Sequence, residues 1–103
     1  MKYHVVENAE FLLIRISGEP KKNEALAAKR ILFPYLKERG IRVIMDLKKI
    51  EKFEPITLLG VLTGISREIN LSEGKLKLCS LKPDMLNYFQ ENRLDYFFQI
   101  EED

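Results

Sequence analysis

Few residues of this chain have side chains suited to chemistry, and their types limit what that chemistry is. There is one histidine, His4, and one cysteine, Cys79. A lone imidazole has no partner for a triad or a zinc cage, and a lone thiol cannot close an intramolecular disulfide. His4 sits in a β-rich run with no Ser, Cys or Asp motif around it and reads as a surface or structural residue. Cys79, flanked by leucines, reads as a small buried hydrophobe. Asp46 follows a short apolar run, at the kind of strand end where open α/β sheets place ligands. The simpler reading is that it hydrogen-bonds loop amides and ends the strand. Lys48, Lys49 and Lys52 precede a helix start that would favour an anion. Glu51 and Glu54 interleave with them and cancel the local charge, so a solvated loop is expected. No G-x-G-x-x-G or Walker loop follows Asp46, which argues against nucleotide binding of those kinds. The expectation is of no catalytic constellation, no metal and no cofactor. One hydroxyl remains in question: Thr57, at the helix mouth in "KFEPITLLGVLTG", as a place of binding or modification.

Those residues must be positioned by a single small domain. A chain of 103 residues with 46% apolar side chains buries one modest core, so residues 1–103 are read as one domain. Seventeen Lys and Arg against 16 Asp and Glu leave no long-range field to gather nucleic acid or anionic lipid. The N-terminus "MKYHVVENAEF" has no apolar h-region, and no run approaches the roughly 20 apolar residues of a membrane span. A soluble, cytoplasmic protein without direct membrane contact is expected.

The elements follow from pattern. Lys2–Glu7 and Phe11–Ser17 are β-rich and separated by Asn8, Ala9 and Glu10, a hairpin loop. In the second run Leu12, Ile14 and Ile16 form a wholly apolar face. Asn23 is the expected N-cap of a helix from about Glu24 to Glu38, with Ala25, Ala28, Leu32, Tyr35 and Leu36 inward. Pro34 predicts a kink or break in it. "IRVIMDL", Ile41–Leu47, is nearly continuous in apolarity and reads as a central strand covered on both faces. Pro55 suits the first position of a second helix, whose stripe is Leu58, Val61, Leu62, Ile65 and Ile69. Gly60 and Gly64, one turn apart, read as a close-packing face. A strand after Gly74 has Leu76 and Leu78 on one side; Pro83 opens a third helix with Met85, Leu86 and Phe89 inward. "YFFQI" closes as an edge strand. The fold class is α/β, in the order β-β-α-β-α-β-α-β, with a mixed sheet, a parallel centre and an N-terminal antiparallel hairpin at an edge.

Three stretches carry a resemblance to a known family. "LLIRISGE", Leu12–Glu19, resembles the opening strand and "GELD" turn of STAS domains. "VIMDLKKI", Val43–Ile50, resembles their central strand, which ends in an Asp-Leu-Ser-x-Val pattern. Glu73–Ile100 resembles their C-terminal strand, helix and aromatic strand. The chain thereby resembles the small bacterial anti-sigma factor antagonists. The resemblance implies a partner-switching module instead of an enzyme. In that family a serine on the loop opening the second helix is phosphorylated by an anti-sigma factor that is also a kinase. The unmodified form binds that kinase and frees the sigma factor; added negative charge abolishes docking by repulsion and desolvation.

Aligned from Asp46 without gaps, Glu54 falls at the family's motif Asp, Pro55 at the phosphoacceptor Ser, Ile56 at the second Ser and Thr57 at the Gly. One inserted residue would put Ile56 at the acceptor instead. Neither register places a serine there. In the turn, Pro20 and Lys21 replace the usual Leu and Asp, and Lys21 is a candidate to answer Glu54 across the groove. The resemblance thus implies a partner-binding surface of Glu19, Lys21, Glu54, Pro55, Ile56, Thr57 and Leu58, for an anti-sigma factor or related kinase-like protein, without the usual phosphoserine control. Thr57 is the phosphorylation candidate, but Pro55 at the first helical position restricts its backbone, so modification is not expected. The competing reading is a structural or adaptor STAS domain of a transporter or signalling assembly.

Overall fold

Alternation along β2 (Leu12–Gly18) sets the plan of the molecule. Leu12, Ile14 and Ile16 are buried and Arg15 is exposed, so one face of the strand meets a core and the other does not. The computed structural model describes residues 1–101. Its other elements are β1 (Lys2–Glu7), α1 (Glu24–Leu32), β3 (Arg42–Ile50), α2 (Pro55–Leu71), β4 (Lys75–Cys79), α3 (Pro83–Glu91) and β5 (Gln99–Glu101). The strands lie side by side in chain order. β1 and β2 are antiparallel, and β2 to β5 are parallel. The expected element order and mixed sheet are found.

Every parallel crossover steps to the next strand in the same direction. Right-handed crossovers therefore put α1, α2 and α3 on one face of the sheet. This corrects the expectation that the central strand is covered twice. Val43, Met45 and Leu47 of β3 are buried beneath the helices, but Ile44 and Asp46 between them are only half-buried. The core is a single layer between sheet and helices. Leu58, Val61, Leu62, Ile65 and Ile69 of α2 fill its middle, and Met85 and Phe89 of α3 close one side, with Phe89 tilted against Phe98 at 5.9 Å. Each such side chain, fully buried, stabilises the fold by about 1.5–3 kcal/mol.

Several boundaries differ from expectation. β3 does not end at Leu47. Arg15 pairs with Asp46 but Ser17 pairs with Lys49, so β3 holds one residue more than β2 over this stretch. Such a bulge shifts alternation by one, and the buried positions accordingly run Val43, Met45, Leu47 and then Ile50. Lys48 and Lys49 thus belong to a strand, away from the start of α2. The first helix breaks as Pro34 demands, into a 3-10 turn at Phe33–Tyr35. The break re-aims Tyr35 outward, 41% exposed. Leu86 is half-buried, and the last strand starts only at Gln99 because Leu94–Tyr96 form another 3-10 turn.

The glycines of α2 do what close packing requires. A Cβ at Gly60 would lie 3.7 Å from Ala25 Cβ, and one at Gly64 3.3 Å from Lys29 Cε, so α1 rests on this small face. Gly74 is tighter: a Cβ there would collide with the Ile41 carbonyl oxygen and come within 2.8 Å of Ile41 Cγ2.

Candidate functional site

The loops that leave β2, β3 and β4 emerge at one end of the sheet, the carboxyl ends of its parallel strands, where α/β folds carry their sites. Gly18 ends β2 with φ +86°, a conformation that side-chain-bearing residues rarely adopt, and its carbonyl accepts from the Glu51 amide at 2.9 Å. The Lys82 ammonium, from the loop after β4, donates to the Ile50 carbonyl at 2.6 Å. Phe53, next in the loop, packs edge-on against Tyr88 of α3 at 5.5 Å. The segment 50–54 is therefore pinned by three contacts, and the first turn of α2 is presented on a fixed base.

That turn carries most of the candidate residues. Glu54 is extended (φ −115°, ψ 102°) and its carbonyl accepts the first helical bond, from Leu58 at 2.9 Å. Pro55 occupies the first helical position, as its missing donor permits. Ile56 is 81% exposed, an extreme for a side chain of its type in this chain, while Thr57 is half-buried. Leu58 is 1% exposed. It anchors α2 in the core and so cannot offer surface to a partner, which corrects its place among the docking residues.

Glu19 and Lys21 lie exposed on the neighbouring β2–α1 loop. No ion pair joins Lys21 to Glu54 among the described residues; Glu54 meets Lys52 instead, at 3.5 Å between two exposed groups. Such a surface pair contributes little. Asp46 does hydrogen-bond a nearby amide, that of Lys48 at 2.9 Å, and lies 3.7 Å from Arg15 Nε. It stabilises the bulge without ending the strand. His4 is exposed on β1, opposite Arg15.

Sequence reasoning missed the residue that organises the β2–α1 loop. Asn23 is not a side-chain cap: it adopts the left-handed region (φ 64°), and only its carbonyl serves the helix, accepting from Leu26 and Ala27. Glu24 does the work. Its buried carboxylate receives the Met1 ammonium at 2.8 Å and the Lys21 amide at 2.9 Å on one oxygen, and the Tyr3 hydroxyl at 2.7 Å on the other. Burial opposes its ionisation, but the bonds from the ammonium, Tyr3 and Lys21 outweigh that, and its pKa falls below the usual glutamate value. The same surroundings, burial first and then Glu24, raise that of Tyr3. The only sequence signal was an acid in a first helical turn. Leu26, 50% exposed in the first turn of α1, was also missed because it lies off the apolar stripe. With Ile56 it adds apolar surface to the helix starts.

Among the described residues, no group of His, Cys, Asp and Glu could hold a metal ion, and no helix is long and apolar enough to cross a membrane. The site offers an apolar knob, a proline and flanking charges on a rigid base.

No protein-family model and no curated protein matches the sequence. Solved structures match it over nearly its full length. An anti-sigma factor antagonist (STAS) domain protein from Planctomyces limnophilus superposes with a TM-score of 0.74 at 18% identity, covering 98% of this chain and 90% of that one. The fold is that of a STAS domain. Protein TM1081 of Thermotoga maritima, solved by NMR, gives a TM-score of 0.80 at 18% identity over 99% of this chain and 82% of that one. The anti-sigma factor antagonist SpoIIAA in its unphosphorylated form gives 0.72 at 16% identity, over 99% and 89% respectively. In this STAS fold, the start of α2 and the β2–α1 loop form one end of the molecule, with Pro55 and Ile56 at its surface.

Proposed function

We propose that this chain is a non-enzymatic protein-binding module, an anti-sigma factor antagonist that captures an anti-sigma factor or related kinase-like protein. The surface is Glu19, Lys21, Glu54, Pro55, Ile56 and Thr57. The observation that carries the reading is the exposure of Ile56, 81%, on a turn pinned by the Gly18–Glu51, Lys82–Ile50 and Phe53–Tyr88 contacts. A large aliphatic side chain held out on a rigid base has little ordering cost left when it docks. The solved structures of the same fold named as anti-sigma factor antagonists support the partner class. Pro55 has no hydroxyl, so the docking surface operates without a phosphoserine at that position. A pull-down with immobilised wild-type protein, compared with Ile56→Asp, tests this. Recovery of an anti-sigma factor by the first and not the second is expected. Recovery of transporter or signalling-assembly components instead would replace the reading with that of an adaptor.

A further inference from the structure

The sheet face opposite the helices holds a charge pattern that the docking loops do not use. Tyr3 reaches the helix layer through Glu24, so alternation puts Lys2, His4 and Val6 on the other face of β1. The register carries that face across the sheet. Val6 lies opposite Leu13, Leu13 beside Ile44 and Ile44 beside Lys77, while Arg15 neighbours Asp46 and Arg42 neighbours Lys75. An apolar strip, Val6, Leu13 and Ile44, thus leads to Lys77, with Arg42 and Lys75 on one side of it and His4, Arg15 and the acid Asp46 on the other, where Glu101 lies beyond Cys79. Arg15 engages Asp46. Arg42, Lys75 and Lys77 have no ion-pair partner among the described residues, in a chain whose formal net charge is only +1. With Phe11 and Ile44 they line a groove of about 310 Å³, with Glu10 also in its wall.

We propose that this groove is a second docking surface, for an acidic polypeptide segment carrying aliphatic side chains and lying extended along β4, over its open face and that of β3. Charge complementarity selects the acid: a concentration of unpaired cations on one face attracts an anionic partner. Spacing selects the extended form. Lys75 and Lys77 are two residues apart on a strand, roughly 6.6 Å, which is also the repeat of alternate side chains on an extended peptide. Phe11 and Ile44, in the same groove as the lysines, select aliphatic side chains that follow the acids on the same face of the peptide, at alternate positions. A bilayer is a poorer fit, because Leu13 and Ile44 are half-buried and offer little area to insert. Single-stranded nucleic acid is a poorer fit too, because Phe11 is the groove's one aromatic side chain and such platforms stack successive bases.

The test is fluorescence anisotropy with a labelled peptide whose alternate residues are glutamate, glutamate, leucine and leucine, with serines between them, so that acids and aliphatics share one face when it is extended, read together with amide NMR shifts. Binding that perturbs Leu13, Ile44 and Lys77, weakens as salt rises and falls at least tenfold in the triple variant Arg42→Glu, Lys75→Glu, Lys77→Glu is expected. Lys75→Gln with Lys77→Gln should give an intermediate loss, and serves if the triple variant misfolds. Ile56→Asp should leave this binding unchanged, which separates the two surfaces. No peptide binding, binding indifferent to both charge variants, or tighter binding of oligouridylate or phosphatidylglycerol vesicles to this face would overturn the proposal.

Discussion

Replacing Glu24 by glutamine keeps the side-chain volume but removes the charge that holds the Met1 ammonium and turns one acceptor oxygen into a donor facing other donors. Glu24 is 4% exposed, and its contacts lie at 2.7–2.9 Å. Removing one partner of a buried ion pair costs about 3–5 kcal/mol, and the retained amide oxygen places this substitution near the lower end, about 3 kcal/mol. For a domain of this size each kcal/mol lowers the Tm by about 4–8 °C, so a fall of at least about 12 °C is expected. Tyr3→Phe, which removes one hydrogen bond to a charged group and keeps the ion pair, should cost less, about 1.5–3 kcal/mol. The pH dependence has a definite sign. The carboxylate's folded pKa lies below its ordinary value near 4.5, so its stabilisation is present above pH 4.5 and is lost as pH falls through the folded value. Urea unfolding followed by circular dichroism between pH 3 and 7 should show this loss in the wild type and its absence in Glu24→Gln. A cost below about 1 kcal/mol at pH 7, or identical pH profiles, would refute the reasoning.

Other outcomes follow from the same geometry. Ile56→Asp should leave the urea midpoint nearly unchanged, since exposed substitutions cost at most about 0.5 kcal/mol. It should weaken partner binding at least tenfold, because docking the isoleucine contributes about 1.5–3 kcal/mol. Gly74→Ala should cost about 1–3 kcal/mol in the same unfolding assay, because the added methyl meets the Ile41 backbone, which cannot move as a side-chain tip can. Incubation with a cognate kinase and ATP should add no phosphate to Thr57 by intact mass; stoichiometric addition there would contradict the reading of Pro55.

The sequence revealed the order of elements because each is marked by local chemistry. Pro55 and Pro83 open helices, Pro34 breaks one, and the α2 stripe is a clean helical repeat. What it hid depended on contacts distant in sequence. An apolar β3 looked doubly covered because Ile44 is as apolar as Met45, and only the one-directional strand order leaves Ile44 on an open face. The bulge at Asp46 appears only as a mismatch between two strands. Glu24 looked like an ordinary first-turn acid, since its partners Met1 and Tyr3 lie on another element. Around the candidate site, Pro55 was legible as the first residue of the helix, with Ile56 after it in the first turn, but Phe53 and Lys82, which pin that turn, were not.

Titration calorimetry against the anti-sigma factors of the same genome, in the presence of ATP and magnesium, tests the central claim most directly. The account predicts that one of them binds the wild-type chain, that binding persists after prolonged incubation with no change in this chain's intact mass, and that Ile56→Asp weakens it at least tenfold. Absence of binding to all of them, unchanged affinity of Ile56→Asp, or release of the partner once a phosphate is transferred to this chain would contradict it.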